Sequence, residues 1–113
     1  MNPDLPTASR LPAHLTPPLD QFIKIIGDPT RWALLGEMID GEPRMVMELA
    51  RKLGRKPATI SKHLYVLKRA GIVVFTRRLY QLPRHFVVSA EQRHLDFGHG
   101  LLRLPGPEQQ PPK

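Results

Sequence analysis

Residues 54 to 71 read "GRKPATISKHLYVLKRAG". They carry five Lys and Arg side chains and no acidic one, while Ile60, Leu64 and Leu67 keep the spacing of one helix face. Pro57 suits a helix opening, because a first-turn amide has no intrahelical partner to lose, and Gly71 suits a helix end. The stretch therefore predicts a helix over residues 57 to 70. Advancing about 100 degrees per residue gathers Ile60, Leu64 and Leu67 into a narrow stripe and turns Ala58, Ser61, Lys62, Tyr65 and Arg69 away from it. His63 falls beside the stripe, Lys68 near its edge, and Arg55 and Lys56 in the preceding turn.

Upstream, Val46, Leu49, Ala50 and Leu53 repeat at i, i+3, i+4, i+7 and stop at Gly54. Only Arg55 and Lys56 separate that helix from Pro57, and two helices joined so tightly form a helix-turn-helix. Earlier still, Leu19, Phe22, Ile23 and Ile26 predict a short amphipathic helix ending at Gly27. Asp28-Pro29 then opens a second one, with Trp32, Leu35, Gly36 and Ile39 on one face and Gly41 as its stop.

Downstream, the β-branched and aromatic runs Ile72 to Thr76 and His85 to Val88 predict a hairpin across a loop holding Arg77, Arg78 and Pro83. Ser89-Ala90-Glu91-Gln92 fits a capping box and predicts a last helix carrying Leu95, Leu101 and Leu102, weakened by Gly98 and Gly100. The expected fold is mainly α with a small β-hairpin: a winged helix-turn-helix of four helices, two strands and a fifth helix.

Nine of the thirteen prolines lie in residues 1 to 18 and 105 to 113, so these are expected to be Pro-rich tails around one domain at residues 19 to 104. So small a unit often leans on a second copy, and a homodimer is expected. The net charge of +7 is uneven. Residues 1 to 43 hold three basic and six acidic side chains, whereas residues 44 to 84 hold eleven basic and one acidic. Such a field attracts polyanions, double-stranded DNA foremost.

There is no cysteine, which removes disulfides, thiolate metal sites and thiol redox switches. With no signal-peptide pattern and no long apolar run, a cytoplasmic protein without membrane association is expected.

The segments "DPTRWALLGEM", "ELARKLG" and "ATISKHLYVLKRAGIV" together resemble the ArsR-type winged-helix repressors of bacteria and archaea, over about residues 19 to 95. That resemblance implies a homodimer joined by the first and last helices, here through Leu19, Phe22, Ile23, Ile26, Leu95, Leu101 and Leu102. It also implies an operator with dyad symmetry. Ala58, Thr59, Ser61, Lys62 and His63 would face DNA, with Arg77 and Arg78 at the wing, and Lys56, Tyr65 and Arg69 join them from the helix reading. Two departures stand out: Lys56 replaces the capping serine, and the wing is short and holds Leu79, Leu82 and Pro83.

Many members of that family hold a soft metal through Cys-Val-Cys, where this chain has Met45-Val46-Met47. Neutral thioethers are poor substitutes, and packing or a small apolar surface is the better reading. A second family site uses the last helix. Glu91, His94, Asp96 and His99 are the candidates here, paired three apart, but without the family's ligand spacing, so no metal and no cofactor is assigned. Catalysis has less support still. Ser61 and His63 diverge by about 200 degrees on a helix, which precludes a nucleophile–base pair, and no enzyme activity is expected.

The residues thus point to a DNA-binding protein, and the resemblance implies a sequence-specific regulator, a repressor acting on an inverted repeat, with its effector unknown. The alternative is a winged-helix interaction module docking an acidic partner through the same basic face, favoured by the apolar wing. RNA binding lacks the stacking or shape-reading motifs it needs.

Overall fold

The computed structural model describes residues 11 to 106, and the rest of both Pro-rich ends lies outside them. Four helices come first: α1 (Leu19–Ile26), α2 (Pro29–Glu37), α3 (Val46–Leu53) and α4 (Pro57–Arg69). Asp28 caps α2 as its sequence suggests, its Oδ1 accepting from the amides of Thr30 at 2.8 Å and Arg31 at 3.2 Å. Gly54 ends α3 in the left-handed region, and the Arg55 amide folds back to the Ala50 carbonyl at 3.0 Å, so the chain turns within two residues into α4. Lys56 makes no side-chain cap, and Pro57 occupies the first turn. Ile60, Leu64 and Leu67 are fully buried against α2 and α3, as their spacing requires.

The wing differs from expectation. Strand β1 (Val74–Thr76) pairs antiparallel with β2 (Leu79–Gln81), matching Val74 with Gln81 and Thr76 with Leu79. The second strand is therefore not at His85 to Val88, and the loop is only Arg77-Arg78. Both arginines have positive φ, 54° and 66°, as a two-residue hairpin of type I′ requires. Leu82 is fully buried and Pro83 half-buried, so the expected apolar wing tip is absent and arginines hold the tip instead. Arg44, just ahead of α3, exchanges backbone hydrogen bonds with Tyr80 (2.7 and 2.8 Å), and Gln81 Nε2 donates to the Gly41 carbonyl at 2.6 Å. These bonds tie the wing to the connection between α2 and α3.

The fifth helix is absent too. After a 3-10 turn at Arg84–Phe86, the chain forms a three-stranded antiparallel meander of β3 (Val87–Ser89), β4 (His94–Asp96) and β5 (Leu101–Arg103). The Gln92 amide does donate to Ser89 Oγ, at 3.0 Å, but that bond closes a hairpin turn rather than capping a helix. Arg93 then takes φ 60°, Gly98 106° and Gly100 116°, conformations no helix can contain. A Cβ on Gly98 would run into the Thr16 side chain, so this corner must be glycine for space as well as for φ.

The meander packs back on the helices through rings. Phe97 lies 4.7 Å from Phe86 and 5.7 Å from Phe22 of α1, centroid to centroid. Leu11 is buried in the same core and a 3-10 turn spans Ala13–Leu15, within the stretch expected as an N-terminal tail.

Candidate nucleic-acid interface

The α4 arc that faces away from the core is exposed as the periodicity implies: Lys56, Ala58, Ser61, Lys62, Tyr65 and Arg69 all lie at the surface, and Thr59 is half-buried. Arg77 and Arg78 are exposed at the wing tip. Among the described residues the ion pairs are Arg44 with Asp40 and Glu48, Lys52 with Glu37, and Arg84 with Glu42. No carboxylate among them neutralises Arg55, Lys56, Lys62, Lys68, Arg69, Arg77 or Arg78. The acidic side chains collect elsewhere, and the helix and wing are left with an uncompensated field that favours a polyanion.

Two cations on this face are held against rings. Arg69 Nη1 donates to the Tyr65 hydroxyl at 3.3 Å, and its guanidinium sits 5.9 Å from that ring's centre. The hydrogen bond and charge of Arg69 hold the Tyr65 phenol below its ordinary pKa, and the same contact raises that of Arg69. Lys68 Nζ lies 5.4 Å over Phe75 of β1, which packs on Tyr80. From the sequence Phe75 is one residue of a strand, and only the structure makes it the link between wing and helix. The helix spacing of Lys68 near the stripe edge was the available signal.

His63 is placed differently from its neighbours. It is half-buried, and its Nδ1 accepts from Arg31 Nε at 3.2 Å. Arg31 also donates through Nη1 to the carbonyls of Ile25 at 2.9 Å and Lys24 at 3.4 Å, while Trp32 Nε1 donates to that of Ile26. Carbonyls at the end of α1, which have no partner within their own helix, are thus met by two side chains of α2. Arg31 was not singled out from the sequence, since nothing local shows an arginine reaching across 32 residues.

The residues expected at a dimer interface differ in burial. Leu19, Ile23 and Leu101 are exposed, at 54%, 59% and 59%, while Phe22 and Leu95 belong to the chain's own core and Ile26 and Leu102 are half-buried.

The metal candidates are not a helical group. Asp96 is buried with its Oδ1 accepting from the Gly98 amide at 2.7 Å. A ring nitrogen of His99 lies 2.6 Å from the Pro17 carbonyl, with the ring over Phe22. Glu91 and His94 line a hollow of about 450 Å³ with Arg93 and Arg103. Among the described residues no three His, Asp or Glu side chains come together as metal ligands. Met45, just ahead of α3, and Met47, in its first turn, are both exposed, flanking half-buried Val46.

A tight two-helix unit with an exposed basic second helix, followed by a short hairpin, is a helix-turn-helix module with a wing. Residues 26–74 match the family model of a helix-turn-helix domain, which covers α2 to the start of β1. Over 53 residues the chain is also 38% identical to an uncharacterised HTH-type transcriptional regulator of Methanocaldococcus jannaschii, an overlap of 47% of this chain and 60% of that protein. No solved structure gives a significant match. Among the described residues, no helix is long and apolar enough to cross a membrane.

Proposed function

We propose that this chain is a DNA-binding transcriptional regulator, acting as a homodimeric repressor of the ArsR type on an inverted-repeat operator. The observation that carries the reading is the α4 face: Ser61, Lys62, Tyr65 and Arg69 are exposed together on the second helix of a helix-turn-helix, with two arginines at the wing tip and no acidic partner among the described residues. The small side chains of Ala58 and Ser61 allow the first turns of α4 to approach base edges in a major groove, where a helix of this diameter fits. Lys62, next to Ser61, and Arg69, two turns further along α4, would meet phosphates. Arg77 and Arg78 would meet the backbone or the adjacent groove.

The sequence similarity to a transcriptional regulator supports the same reading, although the chain spans about 60% of that relative's length. Two copies would set two α4 helices on half-sites about one helical turn apart or a multiple of it, which explains the expected dyad. The role is binding, with no catalytic step. A mobility shift against the DNA upstream of the protein's own coding sequence, with a scrambled duplex of equal length, tests it. Retention of the native duplex alone is expected; equal retention of both would refute sequence recognition.

A further inference from the structure

We infer that Arg31 is a positioning residue for the α4 face, and that His63 serves DNA binding by accepting the Arg31 hydrogen bond rather than by reading a base. The inference rests on the DNA-binding reading above. One guanidinium on α2 reaches both neighbours: Nε donates to His63 Nδ1 at 3.2 Å, and Nη1 to the carbonyls of Ile25 at 2.9 Å and Lys24 at 3.4 Å. Because the guanidinium is a rigid planar fork, fixing one edge on the end of α1 fixes the direction in which Nε points at α4. A lysine ammonium, one point on a flexible stem, cannot hold both.

The consequence for the face follows from helix geometry. His63 immediately follows Lys62 and is two residues after Ser61, so any roll of α4 that moves its ring moves both of them. With side chains an α-helix is about 10–12 Å wide, so a roll of about 10 degrees displaces a surface atom by about 1 Å. A hydrogen bond to a base edge does not survive that displacement, because its distance window is only about 0.5 Å wide. A long lysine on a phosphate follows it readily. Loosening the Arg31–His63 contact should therefore remove sequence preference while general DNA affinity persists.

The chemistry also assigns the ring. Arginine only donates, so Nδ1 must be the acceptor and the ring proton sits on Nε2. Asparagine places its amide oxygen near the position of Nδ1, and glutamine reaches toward that of Nε2. These two variants separate the two roles of His63.

The test compares the full chain with Arg31→Lys, His63→Asn and His63→Gln. Each is assayed by fluorescence anisotropy on the native upstream duplex and on its scrambled version, with thermal melts alongside. In the wild type, nitrogen-15 NMR should show His63 with its proton on Nε2. His63→Asn should keep the preference for the native duplex, whereas Arg31→Lys and His63→Gln should lose it by about tenfold or more with scrambled-duplex affinity little changed. The proposal is overturned if His63→Gln behaves as wild type while His63→Asn loses the preference, since the ring would then be reading DNA through Nε2. It is equally overturned if all three variants match the wild type, or if both affinities fall in parallel with the melting temperature. A wild type that never prefers the native duplex fails the DNA-binding reading itself, a different result from any of these.

Discussion

At the scale of single residues, the connection between sequence and structure is closest where a side chain meets its own backbone. Asp28 accepts from two amides at the start of α2, one of them that of Arg31, so the cap both closes the helix and fixes the root of the side chain that spans α1 and α4. Asp28→Ala should cost about 1 kcal/mol of stability, read as a lowered melting temperature. Asp28→Asn should recover most of it, because the amide oxygen still accepts. Asp28-Pro29 was legible as a cap from the sequence, and so was the place of His63 beside the apolar stripe, whereas its contact with Arg31 was not. Capping is local, but a contact between helices depends on where each is placed. The exposed arc of α4 was legible for the same reason as the cap: a regular helix of 13 residues carries its own coordinate system.

At the scale of elements, the four helices and the first strand of the wing were legible, whereas its partner strand and the C-terminal meander were not. The wing turn explains part of this. Two-residue hairpin loops usually announce themselves through Asn-Gly or Gly-Gly, and here the positive-φ positions are filled by Arg77 and Arg78, which carry no turn signature. Each such residue costs roughly 1–2 kcal/mol relative to a glycine-like preference. In return, two exposed charges stand at the tip of the wing, where the proposed DNA would meet them.

Replacing the pair with Asn-Gly should therefore raise the melting temperature while weakening binding to all DNA and lowering its salt dependence by up to about two charges. A variant that is more stable and binds DNA unchanged would take the wing out of the interface. The meander failed for a different reason: Ser89 with Gln92 forms the hydrogen bond that a capping box needs, but in a turn, and the serine alone cannot distinguish the two. Gly98 and Gly100 were the warning, with φ values of 106° and 116° that end any helix there.

For the whole molecule, the distribution of charge and of exposed apolar side chains assigns different jobs to different faces. The α4 and wing face is basic without acidic compensation among the described residues, whereas α1 exposes Leu19 and Ile23 one turn apart. With the fifth helix absent, a dimer of this chain would rest on α1 rather than on a helix pair. Ile23→Glu should convert the proposed dimer to monomer in sedimentation velocity without lowering the melting temperature of the monomer, since Ile23 is mostly exposed and lies outside the buried core. A wild type that sediments as a monomer at micromolar concentration would remove the dimer from the account.

The central claim is that the exposed arc of α4 reads DNA. It is tested most directly by measuring the affinity of the wild type, Ser61→Ala and Lys62→Ala for the native and scrambled duplexes over a range of salt concentrations. Ser61→Ala should reduce the preference for the native duplex and leave the salt slope alone, as expected for a base contact. Lys62→Ala should weaken binding to both duplexes and lower the slope by about one, as expected for a phosphate contact. Wild-type affinity, preference and salt slope in both variants would contradict the account.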